Sequence, residues 1–122
     1  MPKLQQLTPT LSTRQTKGHK VALITDGRMS GASGAVPAAI HLTPECLAGG
    51  PLGKVQDGDI VRLDSYAGTL EVGVPEGALR SRPAPRPSLE RNEHGFGREL
   101  FATFRHAASD AETGAVSLFG VG

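Results

Sequence analysis

One stretch narrows the choice of fold more than any other. Val21-Ala22-Leu23-Ile24 is a continuous apolar run, closed by Thr25 and Asp26 and followed at once by Gly27. A run without alternation offers no wet face, and that is the pattern of a β-strand buried on both sides. The segment that follows, Gly27-Arg28-Met29-Ser30-Gly31-Ala32-Ser33-Gly34, carries three glycines that permit positive φ and close backbone approach. It reads as a tight functional loop or as the entry to a short helix. What can cover such a strand is limited by the side chains available: the 122 residues include no Trp, one Tyr and four Phe. Burial must therefore come from Val, Leu, Ile and Ala, which remove less apolar area per residue, so the domain is marginal alone.

The remaining segments predict many short elements and tight loops. Residues 1–18 are polar, hold Pro2 and Pro9 and show no period, so they read as an extended lead-in with at most a weak helix near residues 3–7. A chain that opens this way reads as cut from something longer, with the folded domain over 19–122. Residues 38–43 suit a strand or a short helical continuation. Thr43 as N-cap, Pro44 at the first helical position and Gly49 as terminator predict a short helix over 44–49. The turn Gln56-Asp57-Gly58-Asp59 leads into a strand at 60–64, and residues 65–68 turn the chain into a second at 69–74. There Leu70, Val72 and Val74 alternate with Thr69, Glu71 and Gly73, giving a hairpin with one dry and one wet face. Pro75 opens a short helix or turn to Arg80. Pro83, Pro85 and Pro87 remove backbone donors at every second position, so this stretch links and does not fold. Farther on, Leu100, Phe101, Phe104, Ala107 and Ala108 share a helical face, and residues 115–119 read as a last strand.

Charge and cysteine content exclude several functions. Thirteen Lys and Arg against 12 Asp and Glu leave a formal charge of +1, too little for a global field that would hold nucleic acid or an anionic membrane. No apolar run approaches the ~18 residues of a transmembrane helix, and the first residues have no apolar stretch of signal-peptide type. The single cysteine, Cys46, closes no internal disulfide and cannot by itself hold a zinc ion or an iron–sulfur cluster. A soluble, cytoplasmic protein is the expectation.

Chemistry is expected first at the end of the buried strand. The carboxyl end of such a strand, feeding a glycine loop, sets side chains and free N–H groups at one sheet edge. Ser30, between glycines, is then exposed, but a serine hydroxyl is a poor base until something stabilises its alkoxide, and Asp26 and Arg28 alone do not. The loop is neither a Walker loop, a GxSxG elbow nor a GxGxxG fingerprint. On spacing alone, a capping serine beside a turn aspartate is the commoner arrangement. His41 and Glu45 stand four apart, the spacing of a metal-ligand or acid–base pair, but Pro44 breaks that helix and favours a hydrogen-bonded His with a first-turn Glu. Cys46 reads as a small buried hydrophobe. Six of the nine arginines, Arg80, Arg82, Arg86, Arg91, Arg98 and Arg105, lie in the C-terminal stretch. If they converge, bidentate guanidinium contacts suit a phosphate or a carboxylate, although a solvated surface is the simpler reading.

The ordered run from Val21 to Gly34, with Val36-Pro37-Ala38-Ala39-Ile40-His41-Leu42-Thr43-Pro44-Glu45 and Val55-Gln56-Asp57-Gly58-Asp59-Ile60, closely resembles the C-terminal part of the dihydroxy-acid and phosphogluconate dehydratase family. Ala32-Ser33-Gly34, the Val36 to His41 wording and Gly97-Arg98-Glu99-Leu100-Phe101 are similar to its 6-phosphogluconate branch, and the likeness is weakest over residues 67–93. The resemblance implies a mixed α/β, swivelling β-barrel-like domain with flanking helices. It would close over an N-terminal domain that carries an iron–sulfur cluster and Mg2+, their ligands lying outside this chain. The implied reaction dehydrates 6-phospho-D-gluconate to 2-dehydro-3-deoxy-6-phospho-D-gluconate, the Entner–Doudoroff step. Ser30 is implied as the alkoxide base that removes the C2 proton, while a cluster iron takes the C3 hydroxyl. Thr25, Asp26, Arg28, Gly31 and Ser33 are implied as substrate-binding or loop-shaping residues, with Arg98 and Arg91 as candidate phosphate contacts. No metal ligand is assigned within the chain. Sugar-acid members carry a hydroxyl residue two positions after the serine, where this chain has Ala32. The partners implied are a sugar-acid phosphate, the chain's own N-terminal domain and a second copy in a full-length homodimer, with no nucleic acid and no membrane; the chain alone is expected to be inactive. The alternatives are a dihydroxy-acid or sugar-acid dehydratase domain and a non-catalytic binding or regulatory module.

Overall fold

The computed structural model describes residues 6–29, 34–85, 88–90 and 93–118. The chain divides into two compact units, Met1–Ala84 and Pro85–Gly122, and the division falls within the proline-rich link.

The first unit opens with a helix where the sequence predicted an extended lead-in: α1 spans Leu7–Thr16. Pro9 sits at the third helical position, where its missing N–H costs nothing, because the first four N–H groups of a helix have no intrahelical acceptor. Thr13 and Thr16 turn their hydroxyls back onto the carbonyls of Pro9 (2.9 Å) and Ser12 (3.0 Å). Gly18, at φ 88°, ends the helix in a Schellman turn: its N–H donates to the Gln15 carbonyl at 2.9 Å, and the His19 N–H donates to that of Arg14 at 3.2 Å.

The apolar run supplies β1, Leu23–Ile24, which pairs in parallel with β2, Ala38–Ala39. The sequence predicts a strand buried on both faces, but both residues of β1 are only half-buried and the strand is shorter than the run, because few large apolar side chains are available to cover it. Only two residues of β2 lie in register with it. Parallel strands need a crossover of about a dozen residues or more, and residues 25–37 provide it. After β2 come two short 3-10 helices, Cys46–Ala48 and Pro51–Lys54. The helix predicted over 44–49 thus starts later. Glu45 is extended and its carbonyl accepts the Ala48 N–H at 2.9 Å; Gly49, at φ 84°, ends the turn as predicted.

The predicted hairpin is present. β3, Val61–Asp64, pairs antiparallel with β4, Thr69–Val72, with Val61 opposite Val72 and Leu63 opposite Leu70. Half-buried and exposed residues alternate along both strands. Asp64 closes the turn by accepting the N–H groups of Tyr66 and Ala67, each at 2.9 Å. Ile24, Leu42, Val55, Val61, Leu70 and Val72 meet around an open apolar cavity of about 170 Å³. Val36, at 8% exposure, is the one buried apolar side chain among the described residues, the thin core expected of a chain poor in aromatics.

Helix α2, Glu76–Ser81, follows the hairpin. Arg82, just beyond it, grips Asp59 through both guanidinium nitrogens, Nη1 to Oδ2 at 2.5 Å and Nη2 to Oδ1 at 3.1 Å, and Nη1 also donates to the Lys54 carbonyl at 3.2 Å. The Lys54 ammonium returns a bond to the Arg80 carbonyl at 2.7 Å. With Arg82 22% and Asp59 11% exposed, the pair is well shielded, unlike the exposed Glu76–Arg80 pair on α2. Arg82, with the Gln56 N–H, holds the Asp59 carboxyl below the usual carboxylate range. A depressed folded-state pKa contributes stability that is present above the ordinary Asp value of about 3.9 and is lost as pH falls through the lower folded value. Arg82→Ala is therefore expected to unfold at lower urea than the parent at pH 7, with the gap narrowing as pH drops below the carboxylate range. A gap that stays constant to pH 2 would show that the charge pair contributes nothing.

In the second unit, helix α3 covers Ala102–Ala107. The predicted apolar face is only partly helical, because residues 98–101 are turn, and within this unit Leu100, Phe101 and Phe104 remain 74%, 53% and 42% exposed. The rings of Phe101 and Phe104 lie 6.2 Å apart, tilted by 42°. Glu99 accepts the Gly95 N–H at 2.8 Å and lies 3.5 Å from His94 Nδ1. Residues 115–118 do not form the predicted strand: Ala115 is at φ 52°, and its N–H donates to the Asp110 carbonyl in a turn.

Candidate functional site

The parallel pair sets two segments side by side at its carboxyl edge, residues 25–29 after β1 and residues 40–46 after β2. Ladder-like bonds continue past the strand ends: the Thr25 N–H donates to the Ala39 carbonyl at 2.9 Å, the Leu42 N–H to that of Thr25 at 3.3 Å, and the His41 N–H to that of Gly27 at 3.2 Å. Within the first segment the Thr25 hydroxyl accepts the Gly27 N–H at 2.9 Å, a short side-chain turn that bends the backbone away from the strand. Gly27 is buried at this bend.

Asp26 crosses to the second segment. Its Oδ2 accepts the Cys46 N–H at 2.8 Å. The main-chain bond holds the Asp26 carboxyl below its ordinary range, against the opposing effect of burial. Burial, with the neighbouring Asp26 charge, pushes the Cys46 thiol up to about 11. The Cys46 thiol is thus neutral at physiological pH, the opposite of an activated thiolate.

The predicted site residues are placed unevenly. Thr25, Asp26 and Arg28 share the first segment, with Arg28 exposed to solvent. Ser30, Gly31 and Ser33, with Ala32, lie outside the described residues, as does Arg91. Arg98 is exposed in the second unit, which also holds Arg105. Arg80 and Arg82 belong to the first unit and are paired with Glu76 and Asp59. Arg86 is outside the described residues. His41 and Glu45 share no helix: His41 sits in a bend with φ 58°, and Glu45 precedes the first 3-10 turn. Among the described residues no group of three His, Cys, Asp or Glu converges on a point that could hold a metal. Together with the protonated Cys46, this set of described residues does not fit an iron–sulfur cluster or a magnesium ion.

Two residues of this edge escaped sequence reasoning. Cys46 tethers Asp26 from 20 positions away, mainly through a main-chain N–H that any residue but proline would provide, so no side-chain signal announces it. Gly50 is buried, with its N–H donated to the Glu45 carbonyl at 2.9 Å. A Cβ added there would overlap the Pro44 carbonyl oxygen and come within 2.9 Å of that of Glu45. Its φ is −55°, so space rather than backbone conformation demands glycine, and a pair of adjacent glycines in the sequence does not tell the two apart.

Residues 1–115 match the family described as dihydroxy-acid/6-phosphogluconate dehydratase C-terminal. The chain is 54% identical to the phosphogluconate dehydratase of Rhizobium meliloti over 119 residues, 98% of this chain and 20% of that protein. It is 52% identical to the phosphogluconate dehydratase of Zymomonas mobilis, over 98% of this chain and 19% of the relative. Against the dihydroxy-acid dehydratase of Pelobacter propionicus the identity is 39%, over 82% of this chain and 17% of the relative. The chain spans about a fifth of the length of the curated relatives it matches.

Proposed function

Because the chain belongs to the dihydroxy-acid/6-phosphogluconate dehydratase family, matching its C-terminal part, we propose that it is the C-terminal domain of a dehydratase acting on 6-phospho-D-gluconate. The observation that carries this reading is the difference between 54% identity over 98% of the chain to a phosphogluconate dehydratase and 39% over 82% to a dihydroxy-acid dehydratase. The β1 and β3–β4 strands are the elements from which the swivelling, barrel-like form would be built. An iron–sulfur cluster and Mg2+, held by the rest of the longer enzyme, would supply the positive charge and Lewis acidity of the site.

In the proposed reaction the elements of water leave the substrate. Ser30 Oγ, as the alkoxide, takes the proton from C2, the C2–H electron pair forms the C2–C3 double bond as the C3–O bond breaks, and the departing hydroxide becomes water with the proton that the Ser30 hydroxyl gives back, which restores the alkoxide. The resulting enol tautomerises to 2-dehydro-3-deoxy-6-phospho-D-gluconate. Thr25 and Gly27 shape the backbone that leads to Ser30. Asp26, ionised and already bonded to Cys46, is a poor proton acceptor, so the base is sought elsewhere on the loop. Arg98 and Arg91 are the proposed phosphate contacts, since a guanidinium fork matches two phosphate oxygens. A full-length homodimer in the cytoplasm belongs to the same proposal.

The test is turnover by the full-length enzyme, prepared without oxygen, on 6-phosphogluconate beside 2,3-dihydroxyisovalerate and unphosphorylated gluconate. The expected result is a strong preference for the phosphorylated acid, and no turnover by the 122-residue chain alone. Preference for another acid would replace the substrate, and a cluster-loaded enzyme inactive on all three would favour a binding module.

A further inference from the structure

We propose that β1 is an inner strand of a larger sheet, and that its second edge, with the apolar cavity that Ile24 lines, is filled by an apolar β-strand from the part of the longer protein outside this chain. The inference rests on the family relationship and not on the substrate proposed above.

The hydrogen-bond pattern shows which edge is open. The Leu23 N–H donates to the Pro37 carbonyl and the Thr25 N–H to that of Ala39, each at 2.9 Å, so residues 23 and 25 turn their donors toward β2. The residue between them points its N–H and C=O the other way, because the groups of a strand alternate from side to side. That residue is Ile24, and among the described residues no strand pairs with β1 on that side. A strand that ends a sheet is usually blunted by charge or proline, since its unpaired groups are a template for another chain. Val21-Ala22-Leu23-Ile24 carries neither, and a run that is apolar on both faces belongs inside a sheet.

Burial is incomplete in the same place. Leu23 and Ile24 are only half-buried, and Ile24 shares the wall of the open cavity of about 170 Å³ with Val61, Leu70 and Val72 of the hairpin. Each of the two sheets has two strands, whereas independent stability takes about three or more strands with a hydrophobic face. The occupant follows from what is left over. The chain spans about a fifth of the length of its curated relatives and matches the C-terminal part of the family, so most of such a protein lies outside it. A segment of the same polypeptide reaches the open edge at the high effective concentration of a tethered ligand, which a second copy lacks. The strand that fits is rich in Val, Ile or Leu, because it continues the apolar faces of β1.

The test uses the full-length protein. Hydrogen exchange is resolved at the amides of Leu23, Ile24 and Thr25, of which the first and third are held by β2. The expected result is an Ile24 amide slowed about a hundredfold or more against an unprotected amide, at a rate close to those of its two neighbours. An Ile24 amide that exchanges like an unprotected one would overturn the proposal, whatever its neighbours do. The source of the strand is read by photo-crosslinking, with p-benzoylphenylalanine in place of the exposed Ala22. The adduct is expected on an apolar stretch of the same polypeptide outside residues 1–122. A species of doubled mass on a denaturing gel would assign the edge to a second copy, and an adduct within the 122 residues would show that the chain covers its own edge; either overturns the proposal. The exchange measurement needs no substitution, so it decides the matter if the labelled variant does not fold. Neither readout involves turnover, so a different substrate would leave both unchanged and the two readings fail separately.

Discussion

Replacing Ser30 with alanine in the full-length enzyme is expected to lower kcat for dehydration by roughly 10²- to 10⁴-fold, the range that a positioned general base contributes. The methyl group left behind can take no proton from C2, and the described neighbours offer no substitute. Asp26 is committed to Cys46, and the Arg28 guanidinium offers donors and no acceptor. An unassisted serine hydroxyl is itself a weak base, so the size of the loss also reports how well the complete enzyme stabilises the alkoxide. KM should change little, because binding does not require the proton to move. The measurement is steady-state turnover, together with exchange of deuterium at C2 of the substrate, which should cease along with product formation. A variant that still washes out the C2 label would place the base on another residue.

The second large effect is structural. Gly50→Ala is expected to destabilise the first unit by about 3 kcal/mol or more, at the upper end of what overpacking costs, because the added methyl group meets main-chain carbonyls rather than a side chain that can swing away. Relief would require Pro44 and Glu45 to move, and they lead directly into Cys46, the partner of Asp26. Loss of stability should therefore be accompanied by faster hydrogen exchange over residues 44–50. The counterpart is Gly77→Ala in α2, where an added Cβ has nothing within 4 Å. There the gain in helix propensity should leave stability unchanged or raise it by up to about 1 kcal/mol. Thermal unfolding of the two variants beside the parent separates them, and equal midpoints for both would refute the steric reading of Gly50.

How far the sequence could be read depended on the range of the interaction. The hairpin was legible because its causes are local: Leu70 and Val72 alternate with Thr69 and Glu71, and Asp64 and Gly68 meet the demands of the turn. α2 and the terminator Gly49 were legible for the same reason. α1 is not legible in the sequence, because Pro9 reads as a helix breaker unless its place in the first turn, where it breaks no bond, is known. The apolar positions from Leu100 to Ala108 have the spacing of one helical face, yet the chain turns until Phe101, and Gly95, Phe96 and Gly97 all take positive φ.

At the candidate site, the order of residues after β1 and the family relationship can be read without any coordinates, because both are matters of composition and succession along the chain. That Asp26 reaches Cys46, that His41 and Glu45 share no helix, that Arg82 is engaged with Asp59 and that Gly50 is held by space become visible only in the folded chain. Each of these joins groups whose separation in sequence carries no periodic signal, or depends on a backbone path that neighbouring residues do not specify. Local propensity acts over a few residues, whereas a single hydrogen bond or a steric overlap is fixed by where the whole chain has brought two atoms together.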